Sequence, residues 1–278
     1  GPDCGVRRRR FSGECLENHH QKSRAVFFFK EAMTLEYFKH KYGYEIEGMW
    51  MPRVTAITAL VSRSFFIGSF ASVDWGVAVH SAIEKILKGE KYIADQKIAP
   101  SLQAFEKWRK AQGVKITNPT GDIEAKVYDF ENGYAGTIDM VAEVQGKRGV
   151  VDLKTGNGMR DEYSLQTAAY LNAYNKGVQK KFHADTRWIL RIDQYEECKG
   201  CLAKKKEKSG KERVLGGNSW CNHQWSHPVG EAEFLELEGQ KEDLEAFLAA
   251  KEVWEWYHRS FLRKVANYPK NITQKVLI

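Results

Sequence analysis

Asp139, Asp152 and Lys154 are set in the stretch YAGTIDMVAEVQGKRGVVDLKTG, residues 134–156. Two apolar runs rich in β-branched residues flank the polar turn Gln145-Gly146-Lys147, a pattern that predicts a pair of strands. Such a pair brings Asp139 and Asp152 to the same end of a sheet. Adjacent carboxylates repel each other, and a divalent cation is the natural group to sit between them. Lys154 follows Asp152 by two positions, so strand periodicity puts both side chains on one face. Two acids and an amine at one point can hold Mg²⁺ or Mn²⁺, activate water and neutralise a phosphate, which suits phosphodiester hydrolysis.

An acid-x-Lys pair is also common on a solvated strand face, but the neighbours here argue for chemistry. Asp152 follows the apolar Gly149-Val150-Val151, where an exposed acid is out of place. Gly133, Gly136 and Thr137 precede Asp139 and suit a close backbone approach. Downstream, SLQTAAYLNAYN predicts a helix with Gln166 and Tyr170 one turn apart. Upstream, WGVAVHSAIEKIL predicts another, with His80 and Glu84 in the same relation.

In chain order, His80, Gly136-Thr137-Ile138-Asp139, Asp152-Leu153-Lys154 and Gln166-x-x-x-Tyr170 resemble the motif series of PD-(D/E)xK nucleases. The similarity is greatest to the RecB-like branch, because MPRVTAIT (51–58) resembles the P-x-V-T segment of phage and mitochondrial genome maintenance exonucleases. The resemblance covers roughly residues 51 to 175. Asp152 stands where many members carry Glu, a change the family tolerates. The resemblance implies a restriction-endonuclease-like α/β core, a central mixed sheet flanked by helices. It also implies His80, Asp139, Asp152 and the Leu153 carbonyl as ligands of a catalytic Mg²⁺ or Mn²⁺. Lys154 would then position water and stabilise charge on the phosphate, and Gln166 and Tyr170 would orient Lys154 or contact the DNA backbone. Glu124 matches an acidic position that some members place near the metals, though an exposed charge on an edge strand would look the same. Glu84 can orient His80 or pair with Lys88 one turn on.

Around these residues the chain predicts helices over 26–41, Thr55 to Ser62 and 101–113. Strands follow near 122–130, 133–145 and 148–154, then the Gln166 helix and a strand at 186–192. A final helix runs from about Lys241 to Ala266, its aromatics packing mostly on the sheet. Phe105 and Trp108 read as core. The chain of 278 residues is 42% hydrophobic, enough for a real core, and carries a net charge of +7 with a pI near 9.0. That balance suits a polyanion such as DNA. No apolar run approaches the length of a membrane span, no signal peptide is visible, and no P-loop is present. Residues 1–25 read as a mobile basic arm whose Arg8 and Arg9 are candidate nucleic-acid contacts, leaving 26–278 as the nuclease domain. Gly1-Pro2 resembles a protease-cleavage scar.

Cys198-Lys199-Gly200-Cys201, with Cys221-Asn222-His223 downstream, has the spacing of a metal site. Cys₃His is a normal structural zinc set, and the flanking runs TRWILRI and EAEFLELE look like hairpin strands. Residues 196–229 therefore read as a basic, zinc-pinned insertion at a hairpin tip, with His227 an alternative to His223. The metal would replace a core that so short and polar a loop cannot build. An iron–sulfur cluster drawing on Cys4 or Cys15 with Cys198, Cys201 and Cys221 is the other chemistry, and Cys4, Cys15, His19 and His20 offer a second small site. Paired metal spacing argues for a reducing compartment. Lys204, Lys205 and Lys206, with Trp220 and Trp225, are candidate contacts to a single strand.

The sequence therefore predicts a metal-dependent deoxyribonuclease, an exonuclease at DNA ends in recombination, repair or replication. The competing class is a non-catalytic nucleic-acid-binding or adaptor protein on the same scaffold, or a zinc module that serves a protein partner.

Overall fold

Alternating Val, Ile and Ala residues build the centre of the chain, and they do so where the sequence places them. The computed structural model describes residues 33–62, 70–93, 95–156, 158–208 and 211–269. The basic arm with Arg8 and Arg9, the residues Cys4, Cys15, His19 and His20, and the first part of the helix expected over 26–41 lie outside the described residues. The remainder of that helix forms α1 (Leu35–Tyr42). A small hairpin follows, β1 (Gly43–Ile46) and β2 (Met49–Pro52), then the short α2 (Val54–Thr58). Next come α3 (Phe70–Leu87), α4 (Ala99–Ala111) and the single turn α5 (Pro119–Asp122).

The main sheet is mixed. β3 (Ile123–Asp129), β4 (Tyr134–Val144) and β5 (Lys147–Lys154) form an antiparallel meander. The helix α6 (Glu162–Gly177) then crosses over to β6 (Thr186–Glu197), which runs parallel to β5. β9 (Val229–Glu236) returns antiparallel along the far side of β6, from Tyr195↔Val229 to Trp188↔Glu236. Between them a basic ribbon, β7 (Lys204–Lys208) and β8 (Lys211–Leu215), extends the end of β6.

Helices cover both faces. On one, Val79 and Ile83 of α3 and Leu102, Phe105 and Trp108 of α4 pack on Met140, Val151, Leu153, Trp188 and Leu190. On the other, α6 is fixed by polar groups that would be costly to leave unpaired. Tyr134 donates its hydroxyl to the Ala169 carbonyl at 3.2 Å, and Asn172 reaches Asp129 and Tyr134, each at 2.8 Å. Arg148 joins Asp122 and Tyr174 in a similar buried cluster. These ties fix the rotation of α6, and with it the side of the helix that carries Gln166 and Tyr170.

The last helix, α7 (Gln240–Leu262), corrects one expectation. It packs on α6 and α2 as an outer layer and meets the sheet through Phe247 on Tyr134. Trp254 and Phe261 meet Phe38 of α1, which also lies beside Trp50 of β2, while Trp256 and Tyr257 are exposed. Among the described residues no helix is long and apolar enough to cross a membrane.

Candidate active site and cysteine cluster

The strand ladder opens where the acids sit. The β4–β5 pairing ends at Met140↔Val151, one residue short of Asp139 and Asp152. Beyond that point the Leu153 N–H donates to Asp139 Oδ2 at 2.6 Å. The main chain of one strand thus holds the side chain of the other. On the far side of β4, Ile123↔Met140 and Ala125↔Ile138 are paired, which sets Glu124 opposite Asp139. Glu124 has φ +51°, a left-handed conformation uncommon for residues other than glycine. A kinked backbone therefore aims this acid at the site, and such strain is concentrated at functional positions.

From α3, His80 Nδ1 lies 3.2 Å from Asp139 Oδ1. Asp152 and Lys154 project toward α6, as period-two geometry requires, and meet Gln166 there. Gln166 donates Nε2 to Asp152 Oδ1 at 2.9 Å, and its Oε1 accepts from Lys154 Nζ at 3.0 Å. The same Nε2 lies 3.1 Å from the Tyr170 hydroxyl. Lys154 Nζ also sits 2.6 Å from Asp152 Oδ2. Asp152 Oδ2 is buried, and the Lys154 ammonium is its charged neighbour. Gly136 makes the arrangement possible, since a Cβ there would lie 2.4 Å from the Tyr170 ring.

The electrostatics follow from burial and pairing. Burial would raise Asp139, but the His80 contact, the charges of His80 and Lys154 and the Leu153 N–H hold it below the ordinary value. The cost of a second charge therefore falls on Asp152. Burial and the Asp139 charge push it to about 6, against the pull of Lys154. Burial opposes charge on His80, yet Asp139 holds its pKa above the usual value. Burial, then Asp139 and Glu84, push Glu124 to about 7. Lys154 is raised because Asp152 and Asp139 outweigh its burial.

Two cavities meet at His80 and Asp139. One, of about 500 Å³, is lined by Gly76, Val77, Ser81, Glu84, Glu124 and Thr155. The other, of about 280 Å³, is lined by Asp152, Lys154, Gln166 and Tyr170 with Tyr44, Arg53 and Thr55. Glu84 pairs with Lys88 at 2.6 Å, the simpler of its two expected roles.

Sequence reasoning missed Arg53 and Tyr163. Arg53 is held by the His40 and Gly43 carbonyls and lies over the Tyr44 ring at 4.4 Å, which turns a cation toward the acids. Its segment was legible, but a role for the arginine was not. Tyr163 places its ring 4.6 Å from Lys154 Nζ, and its position one turn before Gln166 was the available signal.

The donor set fits a hard divalent cation. It offers the carboxylate oxygens of Asp139 and Asp152, both on buried or half-buried side chains, together with an imidazole nitrogen.

At the end of the β6–β9 hairpin the ligand atoms of Cys198, Cys201, Cys221 and His223 all lie within 4.8 Å of one another. Cys198 and Cys221 Sγ are 3.8 Å apart, about twice a disulfide bond, and Cys201 Sγ is 3.4 Å from His223 Nδ1. The knuckle closes through Cys198 N–H to Ala203 O at 2.8 Å and Leu202 N–H to Cys198 O at 3.0 Å. Burial would raise Cys198, but the backbone N–H groups of Cys201 and Gly200, then His223 and the Gln224 N–H, bring it down to about 6. A thiolate is thus favoured before any metal arrives. Gly217, at φ +76°, lies so close that a Cβ would stand 2.9 Å from Cys201 Sγ. His227 is exposed and stays outside the group.

The insertion lysines carry ion pairs of their own. Lys206 is buried and paired with Asp193 at 2.5 Å, and Lys205 is paired with Glu196 at 2.8 Å. Lys204 sits 3.3 Å from Glu231 and over the Tyr195 ring. These three serve the ribbon's own attachment. Trp225 is likewise occupied, with its ring centroid 4.7 Å from that of His223.

No curated protein matches the chain. A sequence model of the PD-(D/E)XK nuclease superfamily matches residues 66–253, more than half of the chain. That span takes in His80, the Asp139–Asp152–Lys154 strands, Gln166, Tyr170 and the cysteine cluster. The chain belongs to the PD-(D/E)XK nuclease superfamily.

Proposed function

We propose that this protein is a Mg²⁺- or Mn²⁺-dependent deoxyribonuclease, an exonuclease of the RecB-like branch that hydrolyses DNA from its ends in recombination, repair or replication. The observation that carries the reading is the convergence of His80, Asp139, Asp152 and Lys154 beside the Gln166–Tyr170 face of α6. The exonuclease and branch assignments rest on the order of these motifs behind MPRVTAIT. The nuclease domain is taken as 26–278, with 1–25 a basic arm and 196–229 an insertion.

In this reading His80, Asp139, Asp152 and the Leu153 carbonyl hold the catalytic cation, with Glu124 beside them. A divalent cation held there would supply Lewis acidity, lowering the pKa of bound water and offsetting charge on the phosphodiester. Lys154, held by Gln166 and Asp152, orients the attacking water and stabilises the charge that develops on the phosphate oxygens. Gln166 keeps that ammonium in place, and Tyr170 supports the amide from behind. Arg53 offers a second positive charge across the 280 Å³ cavity.

The cysteine cluster is assigned to structural zinc. Four donors converge locally, so no cysteine from the N-terminal segment is needed, and the Cys₃His set is a normal one for zinc.

The test uses end-labelled single- and double-stranded DNA with Mn²⁺ and then Mg²⁺, comparing wild type with Lys154→Ala. Cleavage by wild type that disappears in the variant, with DNA still bound, supports the reading, and the product ladder gives polarity. Binding without cleavage by wild type on either substrate overturns it.

A further inference from the structure

Each cysteine of the cluster adjoins an exposed residue that is not a ligand. Lys199 follows Cys198, Leu202 follows Cys201 and Trp220 precedes Cys221. Because the three ligand atoms lie within 4.8 Å of one another, these neighbours are carried on one small body. Trp220 is 93% exposed and Leu202 is 69% exposed, so two large apolar groups are left in water at the tip of the insertion. Neither is loosely held. The Trp220 N–H donates to Asn218 Oδ1 at 2.9 Å and the Cys221 N–H to Asn218 O at 3.0 Å, which makes the tryptophan part of a closed turn. Leu202 has φ +59° inside the knuckle.

The insertion is basic on balance, with seven Lys and Arg against four Glu over residues 196–229. Lys204, Lys205 and Lys206 are paired with Glu231, Glu196 and Asp193. Among the described residues Lys199 and Arg213 are exposed and have no acidic partner. An exposed indole on the same insertion as unpaired cations matches a ligand with flat π-faces strung on a chain of negative charge. In duplex nucleic acid those faces are hidden in the stack, whereas a single strand offers them. An acidic protein surface would answer the cations but would not need the indole.

We infer that the Cys₃His tip is a second nucleic-acid contact, in which Trp220 stacks on an unpaired base while Lys199 and Arg213 meet the flanking phosphates. It would give the enzyme a hold on single-stranded substrate separate from the metal site. For its substrate class this inference rests on the nuclease reading.

The experiment measures fluorescence anisotropy of labelled oligothymidylate, oligouridylate and duplex DNA with the full-length chain. The chain carries Lys154→Ala and is kept in calcium buffer so that nothing is cleaved. Adding Trp220→Ala weakens binding to the single strands by roughly 5- to 100-fold, the range of one base–aromatic stack, and changes duplex affinity less than about twofold. Trp220→Phe, which keeps a ring, recovers most of the loss. Lys199→Gln, which leaves the cluster untouched, lowers the slope of log affinity against log salt by about 0.7 on single strands. Unchanged single-strand affinity in Trp220→Ala overturns the inference, and so does an equal loss on duplex and single strand. If Trp220→Ala sheds zinc, the Lys199→Gln slope decides, and an unchanged slope rejects the contact. A chain that cleaves DNA but binds normally without Trp220 defeats this inference alone. A chain that binds through Trp220 and never cleaves defeats the nuclease reading alone.

Discussion

Gln166 and Asp152 are joined by a 2.9 Å hydrogen bond from the amide of α6 to the carboxylate of β5, and the other end of the same amide accepts from Lys154. One neutral side chain therefore bridges an acid and an ammonium that also meet directly, with Lys154 Nζ 2.6 Å from Asp152 Oδ2. Gln166→Glu removes the donor and faces Asp152 with a second negative charge. Gln166→Leu removes both bonds at similar volume. We expect Gln166→Leu to lower kcat about 10- to 100-fold with little change in DNA affinity, and Lys154→Ala to lower it about 10²- to 10⁴-fold. Single-turnover cleavage with saturating enzyme separates the two from a binding defect. A Gln166→Leu enzyme as fast as wild type would remove the amide from the proposed mechanism.

Acidic residues at the site tie stability to pH. Glu124 is raised to about 7 and Asp152 to about 6, both by burial and by neighbouring negative charge. Their folded values lie above the unfolded ones, so the protonated forms favour folding. Metal-free protein therefore loses stability as pH rises from about 4.5 through 7. Glu124→Gln should flatten this fall, with a higher Tm than wild type at pH 8 and an equal Tm at pH 4.5. Differential scanning fluorimetry in the absence of divalent cations measures both, and parallel wild-type and variant curves would refute the assignment.

Added Mn²⁺ should act in the opposite sense. Its binding competes with protonation of His80, Glu124 and Asp152, all of which are raised. We expect its stabilisation of wild type to be larger at pH 8 than at pH 5.5, and to disappear in Asp139→Asn. Equal Tm shifts at both pH values would mean that the cation binds elsewhere.

Removal of the cluster metal should be local in its effect. Cys198→Ser is expected to lower zinc content from one per chain and to reduce Tm, while the β3–β5 meander and its acids stay folded. Metal analysis by mass spectrometry decides the first point, and a visible absorption band from purified protein would instead mark iron–sulfur. Unchanged zinc content and Tm would show that these cysteines hold no structural ion.

Gly136 provides a steric test. A methyl group there meets the Tyr170 ring at 2.4 Å, and the ring is wedged against the α6 side of the site. Gly136→Ala should cost about 1–3 kcal/mol, as overpacking does, and should displace Gln166. Pairing it with Tyr170→Ala should restore stability, as chemical denaturation can measure, but should not restore rate.

The catalytic strands were legible because their side chains alternate with the period of a sheet, and because Asp139, Asp152 and Lys154 are polar interruptions in otherwise apolar runs. The Cys₃His group was legible from spacing alone. What escaped notice depends on partners distant in sequence. Strand β1 offers little periodicity in Gly43-Tyr44-Glu45-Ile46, and Gly43 lies against the Trp50 ring of β2. Strand β7 reads as a solvated charge run, yet Lys204 and Lys206 point inward to Glu231 and Asp193. Its extended form comes from those pairings and not from β propensity. Glu124 was singled out through the family resemblance alone, since nothing in its neighbours announces a left-handed backbone.

The β6–β9 ladder runs without a break to Tyr195↔Val229, so the chain leaves the sheet and re-enters it at neighbouring points. A segment attached in this way is topologically an appendage. It can be excised and replaced by a tight turn without shifting the register of any central strand. Such a replacement would break one buried tie to the sheet, the pair of Lys206 with Asp193 of β6.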